Sequence, residues 1–304
     1  HMMNAARVGT ATQGVAMAEQ GYQGGLAYAK DRLQMRSLTG PKNENGPADP
    51  IIVHPDVRRM LLTQKAFSEG NRAFMYWVNQ LVDQEVYGNE EVSKEAEAML
   101  DFLTPIAKAF ATETGLEVAN HGMQLYGGHG FIGEWGMEQV VRDGRIATLY
   151  EGTTGIQALD LLGRKVMGSG GALLANFTKV VHKYCKANEG VAEMAEFIEP
   201  LAKLNNELGE LTGKIGEKAM QNADEVGAAS VDYLMYSGYI VLAFMWARMA
   251  EVALKDADNG FMKSKIKTAQ FYYARLLPRT IAHRDAMLSG SDNLMSLDEE
   301  LFAF

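Results

Sequence analysis

The sequence has little of what marks secreted, membrane-spanning or nucleic-acid-binding proteins. Its single cysteine, Cys185, cannot form an internal disulfide framework and suits a reducing cytoplasm. It contains no uncharged apolar run of about 18 residues, the length that a membrane span needs, and no basic-then-apolar signal sequence. Its net charge of −9 argues against a nucleic-acid partner. We therefore expect a cytoplasmic protein with no membrane span and no nucleic-acid partner.

Strand patterns are also nearly absent, and the one candidate, residues 51–53, is too short to count. Apolar residues instead recur at helical spacing through most of the chain. The 304 residues can bury one large core or two modest ones, and 47% apolar content with 22% charged content is typical of a soluble globular protein. The sequence therefore predicts an all-α fold.

The predicted helices fall into two groups. The first group lies at about 4–35, 55–87 and 92–125, where Pro105 predicts a kink, followed by two shorter helices flanking Glu151. Short links between four or five such helices predict an antiparallel bundle. The glycine-rich run 168–171 is the best boundary, and further helices are predicted at about 172–186, 191–221, 227–255 and 263–288. We thus expect a bundle domain at 3–167 and a helical extension at 171–304.

One predicted helix, 227–255, is rich in aromatic and methionine side chains. These are Tyr233, Met235, Tyr236, Tyr239, Phe244, Met245 and Trp246. Such a stripe indicates either the core of a helical unit or a surface that contacts another subunit or domain. The sequence alone leaves both interpretations open.

The most informative stretch is Tyr150-Glu151-Gly152-Thr153-Thr154, which places a lone carboxylate in a turn before an apolar helix. A carboxylate in such a turn can act as a base that removes a carbon-bound proton. Upstream, the run from Leu125 to Phe131 contains three glycines, which allow backbone N–H groups to approach a phosphate. An Arg142-Asp143 pair lies between the two segments.

These three elements, in this order and spacing, resemble the C-terminal all-helical domain of flavin-dependent acyl-CoA dehydrogenases. The match comprises a Q-x-x-G-G-x-G-F segment from Gln124, the R-D pair and the Y-E-G-T turn, and the likeness extends from about Asn4 to Lys165. The tail after Val166 resembles the extension of the longer bacterial enzymes, the group that includes 3-methylmercaptopropionyl-CoA dehydrogenase.

The resemblance implies an enzyme that forms the α,β double bond of an acyl-CoA thioester, as in fatty acid metabolism. Glu151 would remove the α proton, and FAD would accept the β hydride, which no protein side chain can accept. Desolvation would raise the pKa of such a base toward the working range. A purely structural alternative is that Glu151 satisfies backbone donors at the helix start near Thr153. Tyr150 and Gly152, which flank it, are predicted to contact the substrate.

The same resemblance implies a set of flavin-binding residues. They are Arg32, Gln34, Met35, His54, Val57, Gln124, Gly127, Gly128 and Thr153. In the family, the segment matching Gln124 to Gly128 contacts the flavin of a neighbouring subunit, and the position of Thr153 lies near the adenosine. The structural alternatives are a glycine-capped helix end for the turn and a solvated side chain for Arg32. His129 has no partner at ligand spacing, so we expect a solvated loop histidine and no metal site.

Asn4 and Arg7 match an acidic-x-x-Arg element that lies near the thioester and coenzyme A in the family. Asn4 lacks the charge, and an arginine that faces solvent is the alternative for Arg7. The sequence also departs from shorter members by an insertion at Gly40–Pro50, by Pro55 at a commonly polar position, and by Gly155 where glutamine is frequent. These departures weaken the contacts expected around His54 and Thr153.

The family resemblance also implies an N-terminal helical domain and a β domain, which this chain does not show. We therefore expect a fragment that binds FAD weakly or not at all. The full-length protein would act on an acyl-CoA, pass electrons to an electron-transfer flavoprotein or similar acceptor, and form a homodimer or homotetramer. Two alternatives remain: a helical association module that is inert by itself, and an acyl-CoA oxidase, which would use the same base but pass electrons to oxygen.

Overall fold

A computed structural model describes residues 2–303 of the chain, with side chains from Asn4 onward. The first helices are α1 Met2–Asp31, α2 Pro55–Tyr87, α3 Glu90–Tyr126, α4 Gly128–Phe131, α5 Met137–Ala147 and α6 Thr154–Leu159, which continues as a π-helical segment Asp160–Met167. The remaining helices are α7 Ala172–Ala187, α8 Ala195–Ala219, α9 Asp224–Leu254, α10 Gly260–Phe271, α11 Thr280–Leu288 and α12 Asp292–Met295. Within residues 2–303 the backbone forms no strand beyond an isolated bridge between Leu33 and Pro50. The predicted all-α fold class is confirmed.

The chain divides into two compact units. The first comprises His1–Ala73 and Ala111–Glu151, and the second comprises Phe74–Phe110 and Gly152–Phe304. Helices α2 and α3 therefore contribute residues to both units. The sequence-based division into domains at 3–167 and 171–304 cuts the chain at one place, and it stays a prediction.

In the first unit, α1 and α3 approach each other closely at glycines. A Cβ atom placed on Gly14 would lie 2.6 Å from the Ala111 carbonyl oxygen, and one on Gly115 would lie 2.5 Å from the Gly14 carbonyl oxygen. Only glycine permits this contact, because real Cβ atoms need more room than that. Nearby, the buried Gln64 amide donates to the carbonyls of Gly21, at 3.0 Å, and Val118, at 3.1 Å.

In the second unit, α8, α10 and α11 pack against α9. The aromatic and methionine stripe of α9 is buried except for Met235, which is half-buried, so the core interpretation of the stripe is confirmed. Helix α9 is also long and apolar enough to cross a membrane, but 78% of its most apolar window is buried in the unit. That burial is what the core helix of a globular unit shows.

Two of the helix predictions are wrong in their extent. The first helix was expected to reach Met35 but ends at Asp31, because the following residues pair with the far end of a loop. The predicted helix 263–288 is interrupted by a π-helical segment, Tyr272–Leu276, and a 3₁₀ turn, Leu277–Arg279. Pro278 lies in that turn and has no N–H for a helical hydrogen bond.

Candidate functional site

A cleft of about 610 Å³ lies in the first unit, between the end of α1, the start of α2 and the end of α3 with α4. It is lined by Tyr28, Arg32, Gln34, Met35, Ile51, His54, Val57, Met60, Gln124, Leu125, Tyr126, Gly127, Gly128 and His129. Eight of the nine predicted flavin-binding residues are in this set, and three separate segments of the chain supply them. The ninth predicted flavin-binding residue, Thr153, is not among the residues that line the cleft.

The wall after α1 is formed by a loop whose two ends pair with each other. The N–H of Gln34 donates to the carbonyl of Asp49 at 2.9 Å, and the N–H of Asp49 donates to the carbonyl of Met35 at 2.9 Å. A third bond, at 2.8 Å, joins the N–H of Ile51 to the carbonyl of Arg32. These bonds hold the cleft-lining residues Gln34 and Met35 in place and explain why α1 cannot continue through them.

The loop folds around the fully buried carboxylate of Asp49, which the sequence analysis did not identify. The carboxylate accepts from the backbone N–H groups of Ser37, Lys42 and Asn43 at 2.7–2.8 Å, and from the Arg36 guanidinium at 3.3 Å. These bonds, led by that from Ser37, lower the pKa of Asp49 against the effect of desolvation. The inserted residues therefore form an ordered loop. An aspartate just before a proline in a glycine- and asparagine-rich segment was the available signal.

Aromatic rings form one side of the cleft. Tyr28 stacks on Tyr126 with ring centroids 4.2 Å apart, and His129 stacks on Trp135 at 4.5 Å. The Tyr28 hydroxyl and Nδ1 of His129 are 2.9 Å apart and share a hydrogen bond. His129 is thus half-buried between aromatic groups, and the expectation of a solvated loop histidine is wrong.

The glycine turn after α3 presents backbone to the cleft. Gly127 has φ 59° and ψ −137°, a conformation that is essentially restricted to glycine, and nothing lies within 4 Å of where its Cβ would be. Gln124, Gly127 and Gly128 are all exposed. Together with the exposed guanidinium of Arg32, the turn can accept an anionic or hydrogen-bonding group.

The turn that contains Glu151 follows α5, which packs against α1. The N–H of Tyr150 donates to the carbonyl of Ile146 at 3.2 Å, and the Tyr150 hydroxyl hydrogen-bonds Oε1 of Gln13 on α1. Glu151 has φ 56° and an exposed side chain, so the desolvation expected of a base is not present in this chain. Near the start of α1, Arg7 is buried and Asn4 is half-buried, which contradicts the solvent-facing alternative for Arg7.

The residues after Glu151 begin the next helix. The Thr153 hydroxyl accepts from the N–H of Ile156 at 3.4 Å and so caps α6. Thr153 therefore provides a side-chain cap at the start of this helix. The carbonyl of Gly152 accepts a hydrogen bond of 2.7 Å from the Nζ of Lys108.

The cleft and the Glu151 turn contact different parts of α1. The cleft contains Tyr28, whereas the turn is bonded to Gln13, which is fifteen residues earlier on the same helix. At 1.5 Å per residue, these two positions are about 22 Å apart along the axis. The predicted base and the predicted cofactor residues of one chain are therefore well separated.

Family models match nearly the whole chain. The model described as "Acyl-CoA dehydrogenase, C-terminal domain" matches residues 1–167, which is more than half of the chain. A second model, "Acetyl-CoA dehydrogenase C-terminal like", matches residues 177–298. The predicted resemblance to acyl-CoA dehydrogenases with a C-terminal extension is confirmed by these matches.

Two curated relatives align with almost all of the chain. The 3-methylmercaptopropionyl-CoA dehydrogenase of Ruegeria pomeroyi is 38% identical over 97% of this chain and 50% of its own length. The broad-specificity linear acyl-CoA dehydrogenase FadE5 of Mycobacterium tuberculosis is 31% identical over 98% of this chain and 51% of its own length. The chain thus spans about half the length of these relatives.

A solved structure shows the same fold. The acyl-CoA dehydrogenase of Bacillus anthracis, determined in complex with FAD, superposes with a TM-score of 0.74 at 20% identity, over 94% of this chain and 49% of that one. The chain corresponds to the C-terminal helical region of acyl-CoA dehydrogenases. The matches to the family models and to the two curated relatives show that it belongs to the acyl-CoA dehydrogenase family.

Proposed function

We propose that this chain forms the C-terminal half of a flavin-dependent acyl-CoA dehydrogenase that introduces the α,β double bond of an acyl-CoA thioester. The observation that carries the proposal is the convergence of eight predicted flavin-binding residues on one cleft. Those residues are the ones that the family resemblance implies, and three segments of this chain bring them together.

The residues of the cleft fit a dinucleotide. The Arg32 guanidinium offers several donors to phosphate oxygens, and the Gly127–Gly128 backbone allows close approach of a phosphate or an adenosine. Apolar groups beside them, including Val57 and Met60, suit the flat faces of an aromatic ring system. When bound, the flavin supplies the hydride acceptor for the reaction.

Glu151 takes the role of the base in this proposal. Its carboxylate removes the α proton of the thioester and holds it, while Tyr150 and Gly152 orient the substrate beside it. Because Glu151 is exposed in this chain, the proposal requires bound acyl-CoA and the rest of the enzyme to exclude water from it. Arg7, buried near the start of α1, is proposed to contact the coenzyme A portion together with Asn4.

The separation along α1 supports an oligomeric enzyme. Because the cleft and Glu151 are about 22 Å apart along the helix, we propose that they serve different flavins, the cleft receiving the dinucleotide of a neighbouring subunit. A homodimer or homotetramer satisfies this arrangement. We further propose an electron-transfer flavoprotein or similar acceptor as partner, and the cytoplasm as the location.

The replacement of Glu151 by glutamine tests the proposal in the full-length protein. Glu151→Gln keeps the shape of the side chain but removes its basicity, so FAD stays bound while bleaching by acyl-CoA slows by about 10²–10⁴-fold. Flavin reduction is followed at its visible absorption band, with Glu91→Gln, an exposed glutamate at the start of α3, as control. Rapid bleaching in Glu151→Gln would refute the proposal. Slow reduction of oxygen by the reduced wild type would favour a dehydrogenase over an oxidase.

The chain by itself provides a second test. We expect it to purify colourless and to fail in reducing an artificial electron acceptor with any acyl-CoA, because phosphate contacts in open solvent are screened and weak. The measurement is the flavin absorbance per mole of purified chain. Stoichiometric flavin would show that this half holds the cofactor without help from further chain segments.

A further inference from the structure

Lys108, in the middle of α3, has an unusual environment for a lysine. Its side chain is fully buried, and its Nζ donates to the carbonyl of Gly152 at 2.7 Å. Removing an ammonium group from water costs several kcal/mol of stability, on the order of the whole stability of some domains. An apolar side chain of similar volume fills such a site at lower cost. The polar contacts of the Lys108 Nζ are therefore the features that can offset the cost of its burial.

The acceptor of this bond is the carbonyl of the residue that follows Glu151. A second fully buried side chain, Gln157 of α6, donates to the same carbonyl at 3.4 Å. Two side chains from helices distant in sequence thus meet at one peptide group. A bond from an ammonium is charge-assisted and stronger than a bond from an amide, so Lys108 makes the dominant contact.

The backbone at this point needs external support. Glu151 and Gly152 have consecutive positive φ angles of 56° and 89°. The left-handed conformation costs a non-glycine residue about 1 kcal/mol or more, and it persists only where surrounding contacts hold it. The bond from Lys108 holds the Gly152–Thr153 peptide group, one residue beyond Glu151, at the C-terminal end of this left-handed pair. On the N-terminal side, the bonds of Tyr150 to Ile146 and Gln13 hold the chain.

We propose that Lys108 is a positioning residue for the base: its buried ammonium fixes the Gly152 carbonyl and thereby the direction in which Glu151 leaves the turn. The inference rests on the proposed function of Glu151. A base must be held within hydrogen-bonding reach of the proton that it removes. A shift of the base by about 1 Å lowers the rate by about 10²-fold, so a contact that does not touch the substrate controls the rate through geometry.

The test compares Lys108→Met with Lys165→Met in the full-length enzyme. Lys165 is a matched control because it also links α3 to the segment after α6, through Asp101, but does not contact Gly152. The probe is a straight-chain acyl-CoA that reduces the wild-type flavin, selected from a panel of chain lengths. The readouts are the maximal rate of flavin reduction, the dissociation constant of the acyl-CoA, the FAD content and the melting temperature.

For Lys108→Met we expect the maximal rate of flavin reduction to fall by about 10–10²-fold, with FAD content and acyl-CoA affinity close to wild type. Lys108→Gln, which keeps a donor, is expected to recover part of the rate. Lys165→Met is expected to reduce its flavin at the wild-type rate. This split between rate and affinity is the signature of positioning, since a purely structural lysine would change the melting temperature and leave the rate per folded active site unchanged.

A folded Lys108→Met enzyme with the wild-type rate of flavin reduction would overturn the inference. If that variant does not fold, Gln157→Met provides the test. We expect its rate of flavin reduction to fall by about fivefold, which corresponds to the loss of one neutral hydrogen bond. An undiminished rate would overturn the inference. Glu151→Gln is measured in parallel. Wild-type reduction in Glu151→Gln refutes the proposed function, whereas loss in Glu151→Gln without loss at Lys108 refutes only the positioning role.

Discussion

Two groups of aromatic side chains, one in each unit of this chain, lie in opposite environments. In the first unit, Tyr28, Tyr126 and His129 are half-buried and line an open cleft, with the more exposed Trp135 beside them. In the second unit, the aromatic side chains of α9 are buried, and Trp246 is fully enclosed. The cleft residues come from three helices, whereas the buried group described here lies on one helix, α9. The comparison shows that residue type by itself does not separate the wall of an open cleft from a core.

The difference has energetic consequences. Burial of a large aromatic side chain removes its whole apolar surface from water and stabilises the unit by several kcal/mol. A half-exposed aromatic pair contributes about 0.5–1.5 kcal/mol beyond the area that it buries. Mutations in the second unit should therefore change stability, and mutations at the cleft should change binding with a smaller effect on stability.

The largest expected effect separates two tryptophans. Trp246→Ala removes a fully buried side chain from α9 and should destabilise the chain by about 3–5 kcal/mol. Trp135→Ala, at the cleft, removes a side chain that is 47% exposed and should cost about 1 kcal/mol. Urea unfolding followed by far-UV circular dichroism measures both. Equal losses of stability in the two variants would contradict the difference drawn between the buried aromatic group of α9 and the cleft.

The second prediction concerns two glycines within helices. Gly115→Ala places a methyl group 2.5 Å from the Gly14 carbonyl oxygen at the α1–α3 contact and should destabilise the chain by about 1–3 kcal/mol. Gly209→Ala, on α8, has no atom within 4 Å of the new methyl and should stabilise by about 0.5–1 kcal/mol. The midpoints of urea unfolding show whether each substitution stabilises or destabilises the chain. A neutral Gly115→Ala would show that the helices separate easily.

The smallest expected effect is local and depends on pH. Because its folded-state pKa is lowered, the Asp49 carboxylate stabilises the cleft loop above its ordinary pKa of about 3.9, and this stabilisation is lost as the pH falls through the lower folded-state value. Hydrogen exchange at the amides of Ser37, Lys42 and Asn43 should therefore accelerate relative to the rest of the first unit as the pH falls below about 4.

An asparagine variant checks this assignment. Asp49→Asn replaces one acceptor oxygen by a donor, so the loop should already exchange rapidly at neutral pH and lose its local acid transition. Glu44→Gln, an exposed position in the same loop, should behave as wild type. Unchanged protection of Ser37 in Asp49→Asn would show that the loop is held by other contacts.

Most of the fold was predictable from helical periodicity and from helix end signals. The bounds of α2 were predicted correctly, since Pro55 at the start and Gly88 after the end are strong local signals. The end of α1 was not, because Arg32, Leu33 and Gln34 have no local signal against helix. Their partners, Asp49 to Ile51, are about seventeen residues away, and the pairing outweighs local propensity.

The candidate site was predictable in its residues more than in its surroundings. Family-like motifs identified Arg32, Gln124 and the glycine turn, but Tyr28, Tyr126 and Asp49 were missed. An aromatic residue on a helix has the same pattern whether it faces a core or a cleft. The importance of Lys108 was likewise invisible, because a lysine within a helix is most often solvated.

The sequence by itself determined the all-α class, the positions of most helices and the likeness to one enzyme family, since periodicity, helix end signals and short motifs are local properties. Tertiary structure alone decided which segments meet: the ordering of the inserted loop around Asp49, the stacking of His129 on Trp135, and the contact of Lys108 with the residue after Glu151. Each joins groups whose contact is set by packing rather than by spacing along the chain. Burial, which gives such contacts their strength, exists only in the folded chain.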